Sequence, residues 1–255
     1  MEKRASSTRT KTTYQEIMTK HLQAIHTHAL DFWLARSSVI VIVSLQFIMV
    51  NPLSIGPRWL APALELAILA PLSFATAWTQ DRVRKAKNDG HWQQISKQRR
   101  LIRGLAIFLT ALVTVINFGS LLKLIHALVS GNVGSSGHHL LLDAINIWGT
   151  NVIIFALWFW SIDRGGPASR GLARKQTNDF LFPQMTLTLA NPIETENWTP
   201  GFIDYLFLSF TNATAFSPTD TLPLSGRAKL LMMIESGTSL LTITLVAARA
   251  VNILS

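Results

Sequence analysis

The chain of 255 residues contains no cysteine. Disulfides, thiolate metal sites and cysteine nucleophiles are therefore excluded, while the redox compartment stays open. Charge is also scarce: 15% of residues are Asp, Glu, Lys or Arg, against 49% hydrophobic. Soluble domains carry about 25% charged residues. The deficit is concentrated in long stretches with almost no charge, which points to an integral membrane protein embedded in a lipid bilayer. Acidic residues are few, 14 against 23 basic, for a net charge of +9. A nucleic-acid binder gathers such charge on one domain or helix face. Here the basic residues sit between apolar segments, so no nucleic-acid partner is expected. Nucleotide loops, zinc helices and nucleophile elbows are missing too. No paired Asp, Ser–His pair or His-rich motif lies within the apolar segments, so neither an enzyme nor a cofactor is expected. His21, His26 and His28 do not share one helix face, and His138-His139 lack carboxylate neighbours, so no metal is assigned.

What is present is a series of apolar segments. The fold class they predict is all-α, a polytopic membrane helix bundle. It has about five transmembrane helices, a re-entrant pore-loop-like segment and an N-terminal amphipathic helix. Residues 1–13 are basic and Ser/Thr-rich and read as disordered. Residues 14–36 carry Tyr14, Met18, Leu22, Ile25, Ala29 and Phe32 at helical spacing, as an interfacial helix does. Residues 37–162 hold four spans: 37–57, 59–80, 104–129 and 140–162. Each is long enough for the roughly 20 residues that cross a hydrocarbon core. Pro52, Pro57, Pro62 and Pro71 end or kink the first two. Residues 163–202 read as a polar loop whose apolar piece, 180–190, is too short to span. Residues 203–255 hold the re-entrant segment and a last span over about 230–251.

Of the 23 Lys and Arg, six lie up to Arg36, eight in 81–103 and six between Arg164 and Lys229. With five spans these three regions share one side. Basic loops stay cytoplasmic, so the expected location is the cell inner membrane, with the N-terminus cytoplasmic. Five charges fall within spans: Glu65, Lys123, Asp143, Glu235 and Arg249. Such charges are costly in lipid and seek partners or water. The hairpin of the third and fourth spans brings Lys123 and Asp143 to similar depth and predicts an ion pair. The alternative is that Lys123 and Arg249 snorkel to the headgroups. Asn117, Asn146 and Asn151 are expected to bond between helices.

From Asp204 the chain reads DYLFLSFTNATAFSPTDTLPLSGRAKLLMMIESGTSLLTITLVAARAV. This stretch resembles the pore half of the two-helix potassium-channel module: pore helix, filter, inner helix. Ser209-Phe210-Thr211 resembles the Ser-Phe-Thr that leads into the filter, and Thr214 the residue just before it. Asp220 and Pro223 fall at the post-filter Asp and Pro. The wider layout resembles a family of bacterial multi-pass membrane proteins with a channel-like C-terminal half. The resemblance implies an ion-channel-like protein, a homo-tetramer, and a monovalent cation as the conducted species.

The filter positions read Ala215-Phe216-Ser217-Pro218-Thr219, without either glycine of Thr-Val-Gly-Tyr-Gly. A potassium filter aligns backbone carbonyls in conformations that glycine tolerates best, and Pro218 restricts both itself and Ser217. A standard filter is therefore not expected. Side chains of Thr211, Asn212, Thr214, Ser217, Thr219 and Asp220 line a polar constriction in this reading. The charge count also brings the segment in from the inner side, opposite to potassium channels. The alternative is a non-conducting scaffold or partner subunit, in which a buried polar hairpin plugs the bundle and Asp220 to Pro223 simply turn the chain into a helix.

Overall fold

The computed structural model describes residues 30–44, 57, 59–60, 62–70, 89–129, 137–166, 178–186, 198–214 and 220–254. Almost all of them are helical. The first helix, α1 (30–44), passes through Arg36 without a break and buries Phe32, Ala35, Val39, Ile42 and Val43. That three-to-four spacing is one helix face. Ser37, Ser38 and Ser44 turn their hydroxyls back onto carbonyls four residues earlier, at 2.8–2.9 Å. In α2 (62–70) Pro62 sits in the first turn, just inside a bond from Ala63 N–H to Trp59 O of 2.9 Å. There its missing N–H costs nothing. Residues 37–44 of α1 and helix α2 are described parts of the first two expected spans, while 30–36 of α1 fall in the expected interfacial helix, with which the first span is continuous.

Helix α3 (Asp89–Val129) has 41 residues, a length of about 60 Å at 1.5 Å per residue. The sequence reading gives 81–103 as a loop, yet from Asp89 it is already α3. Between Gly90 and Gly104 the chain holds Gln, Lys, Arg and Leu with no Gly or Pro, and such straight side chains favour helix. Helix α4 (Gly137–Ile162) runs back and ends in a 3-10 turn at Asp163–Gly165. Arg164, Gly165 and Gly166 then take φ of 50°, 75° and 86°. A Cβ on Gly166 would lie 2.9 Å from Ser161 O, so this reversal needs glycine there.

The 163–202 region, read as a polar loop, contributes to the core. Strand β1 (Phe180–Leu181) pairs antiparallel with β2 (Leu222–Pro223), in the register Phe180–Pro223 and Leu181–Leu222. A single helical turn, α5 (Pro183–Thr186), follows β1. The short helix α6 (Phe202–Thr214) and the long α7 (Gly226–Leu254) complete the chain. Trp160 on α4 meets Phe32 of α1 and Phe202 of α6 edge-on at 5.2 and 5.3 Å. Phe159 meets Phe180 at 5.2 Å, and Tyr205 packs on Phe180 and Phe182. Such edge-to-face pairs add to area burial, so the apolar part of the loop folds inward.

Among the described residues, three helices are long and apolar enough to cross a membrane: Leu101–Val129, Leu140–Gly165 and Gly226–Ala248. Within their apolar windows 67% of the second is buried, against 28% and 22% of the first and third. Helix α4 is therefore the central post. Its neighbours turn large apolar side chains outward, such as Phe108 and Val115 on α3 and Met233 and Leu240 on α7. A helix apolar all round fits lipid or a large core.

Candidate functional site

The site is built around α6, a helix whose two ends are fastened differently. At its start, Gly201 N–H donates to Asp204 Oδ2 (2.7 Å) and Phe202 N–H to Asp31 Oδ1 of α1 (3.1 Å). Two carboxylates thus take up N–H groups that a helix start leaves open. The glycine keeps Asp31 close, since a Cβ at Gly201 would come within 2.5 Å of Asp31 Oδ1. One turn in, Tyr205 Oη donates to Asp163 Oδ2 at 2.5 Å. Deeper still, Ser209 and Asn212 reach α4 and α7. Residues 215–219 lie outside the described residues. The chain is next seen at Asp220 and then in β2, back beside Asp179, whose N–H donates to Asp163 Oδ1 at 2.7 Å. Helix α6 therefore goes in and the chain comes out at the same end of α4.

At that end lies the first polar cluster. Asp163 and Asp179 are both buried. Arg227 in the first turn of α7 grips Asp179 with both arms of its fork, Nε to Oδ1 at 2.7 Å and Nη2 to Oδ2 at 2.5 Å. This is the strong, planar form of a charge-assisted bond. Ser225 Oγ donates to the same carboxylate at 2.5 Å and accepts Ala228 N–H at 3.2 Å, as a cap residue does. Leu224 N–H donates to Asp179 O at 2.8 Å. Arg103 of α3 places Nε on Ser161 O at 3.2 Å, a cation against the open carbonyls at the end of α4.

The second cluster lies at the tip of α6 and centres on Glu235, whose exposure is 0%. Ser209 Oγ touches Glu235 Oε1 and donates to Val152 O of α4 at 2.6 Å. Asn212 Nδ2 donates to Glu235 Oε2 at 2.6 Å and to Met232 O at 3.0 Å. Ser236 Oγ donates to Asn212 Oδ1 at 3.0 Å. Asn151 of α4 completes the set, with Nδ2 on Ser239 Oγ at 2.9 Å and on Glu235 O at 3.3 Å. Three helices meet there through polar groups, while Trp148 and Phe210 close one flank edge-on at 5.8 Å.

The residues singled out by sequence divide into those brought together and those kept apart. Asn212 and Glu235 are joined directly. Thr211 and Thr214 spend their hydroxyls within α6, on Phe207 O (2.8 Å) and Thr211 O (3.1 Å). Asp220 is exposed in the bend before β2. Ala215, Phe216, Ser217, Pro218 and Thr219 lie outside the described residues, as does the side chain of Arg249. Glu65 and Asp143 are buried and Lys123 is exposed. Asn117 bonds across to Ile147 O at 3.2 Å, and Asn151 to α7, as expected of polar groups between helices. Asn146 is buried beside them.

Sequence reading missed the Asp163–Asp179–Arg227 cluster. Its one signal was an acidic residue beside each end of a Gly-rich stretch. The partners of Glu235 were legible as polar residues at positions 209 and 212, three apart and so on one face. No family model, curated protein or solved structure matches the chain.

Proposed function

We propose that α4, α6 and α7 form a channel-like module of a cell inner-membrane protein. The basic end, where α6 enters, faces the cytoplasm. Four copies surround a pore whose filter positions, by the sequence resemblance, are 215–219, and a monovalent cation is the conducted species. The observation that carries this reading is the path of α6. A 13-residue helix enters between two apolar helices long enough to span, and the chain leaves at the end where it entered. That order, long helix, short helix, turn, long helix, is the one the sequence resemblance implies. Irregular backbone at membrane depth is tolerated where protein or water surrounds it. The uncovered apolar faces of α6 (Ile203, Phe207) and α7 (Met233, Leu240) give neighbouring copies a surface to meet.

A second reading is favoured by one observation. Asn212 spends its amide on Glu235 and Met232 and its oxygen on Ser236, which leaves it little for a permeant ion. In a non-conducting scaffold or partner subunit the same hairpin would simply seal the bundle.

Reconstitution in vesicles separates the two. The channel reading expects monovalent cation flux that falls or changes selectivity in Phe216→Ala and Asp220→Ala. Flux that persists unchanged in both variants sinks the lining assignment, and no flux from a correctly inserted protein favours the second reading. The chain has no cysteine, so a single thiol in Ser217→Cys reports the side. Labelling from the cytoplasmic face is expected, and labelling only from the opposite face overturns the orientation.

A further inference from the structure

We infer that Glu235 is a proton-binding site: a neutral carboxylic acid, held between α4, α6 and α7, whose Oε1–H donates to Ser209. A serine hydroxyl has one proton to give. Ser209 Oγ stands 2.6 Å from Val152 O, and a carbonyl cannot donate, so the serine proton lies on that contact. The contact between Ser209 Oγ and Glu235 Oε1 then needs a proton of its own. Only the carboxyl can carry it.

The rest of the cluster balances on the same assignment. Glu235 Oε2 accepts from Asn212 Nδ2 at 2.6 Å. The second amide proton of Asn212 goes to Met232 O at 3.0 Å, and Asn212 Oδ1 accepts from Ser236 at 3.0 Å. With a neutral acid, each contact of the carboxyl and of Ser209 has one donor and one acceptor, while Ser236 Oγ, which also stands 3.2 Å from Asn212 O, shares its one proton between two oxygens of Asn212. With a carboxylate, the run from Glu235 through Ser209 to Val152 is one proton short.

The charge around Glu235 points the same way. Glu235 is fully buried, and among the described residues no Lys, Arg or His pairs with it. Charged groups on the helices packed around it lie elsewhere. Arg227 at the start of α7 is committed to Asp179, and Lys229 is exposed. Asp204 caps the start of α6, Asp143 and Asp163 sit near the two ends of α4, and Lys123 on α3 is exposed. A buried carboxylate without a cation is strongly disfavoured, and taking up a proton removes that cost. The inference does not depend on conduction, because it concerns only how the tip of α6 is held.

The test uses the purified full chain in detergent at neutral pH. A glutamine side chain reproduces the neutral acid, since its N–H can donate to Ser209 and its oxygen can accept from Asn212. Glu235→Gln is therefore expected to keep the wild-type Tm, while Glu235→Ala lowers it. The infrared difference between wild type and Glu235→Gln is expected to show the C=O stretch of a protonated, hydrogen-bonded carboxyl. Carboxylate bands in its place overturn the inference, as does a Tm for Glu235→Gln as low as that of Glu235→Ala. Ser209→Ala supplies a further arm that leaves the acid in place. Loss of its acceptor is expected to move the acid C=O band to higher frequency, and an unmoved band overturns the assignment.

Discussion

The two polar clusters around α6 solve one problem in opposite ways. At the end of α4 where α6 begins, a buried carboxylate, Asp179, meets a guanidinium, and the charge of Arg227 reaches solvent with 54% of its side chain exposed. At the tip, the Glu235 carboxyl meets the Ser209 hydroxyl and the Asn212 amide and, among the described residues, no cation. The first cluster resembles an ion pair at the rim of a core, where half the charge stays hydrated. The second resembles a neutral network in a dry interior, which stands or falls by complete satisfaction of its hydrogen bonds. The lesson is that depth chooses the chemistry: near water an acid keeps its charge and a partner, and away from it a neutral set of donors takes over.

The sharpest way to break this contrast is Arg227→Ala. It strands Asp179 in a buried site with Ser225 as its remaining side-chain donor, and it is expected to cost about 3 kcal/mol, read as a lower Tm in detergent. Adding Asp179→Asn to it should recover part of the loss, because the stranded charge is removed. A double variant worse than the single would show that the pair is not the source of the cost. Asn212→Leu comes next. It removes two donors and one acceptor from the tip, at roughly 1–3 kcal/mol for a buried group left unsatisfied. If the tip is held by hydrogen bonds, combining Asn212→Leu with Ser236→Ala should be clearly less than additive. The smallest effect is at the start of α6. Asp31→Ala should cost about 1 kcal/mol, the usual value of a helix cap. Gly201→Ala should cost the same, because its Cβ displaces the Asp31 carboxylate. Equal single effects with no further loss in the double variant would bear out that shared cause.

Much of the bundle was legible in the chain because lipid-facing helices announce themselves. The apolar runs read at 104–129, 140–162 and about 230–251 fall in the three span-length helices found among the described residues. The short length of 205–219 pointed to a segment that does not cross, and α6 ends after 13 residues. Less legible was the interior of 163–202. Its Gly, Arg and Ser content reads as solvent-facing, yet Phe180 and Phe182 are core residues. Two apolar residues at alternating positions are too few to register as a strand against a polar background. The Asp163–Asp179 contact was beyond reach for another reason. They stand sixteen positions apart, and the chain reverses at Arg164 to Gly166 after the first of them. Glu235 was recognisable as a costly charge in an apolar helix. Its partners come from positions 209 and 212, and Ser209 in turn holds Val152 O of α4, so the cluster exists only once three helices have packed.

One feature of α4 has a mechanical meaning. Within six residues, Ile147 O receives Asn117 of α3, Asn151 donates to Ser239 of α7, and Val152 O receives Ser209 of α6. Three neighbours are thus pinned to one short length of a single rod. Turning α4 about its own axis would strain all three attachments together, whereas tilting its ends about this level would strain them least. Helix α4 is therefore built as a pivot, and any motion that moves the tip of α6 must either swing around that point or break it.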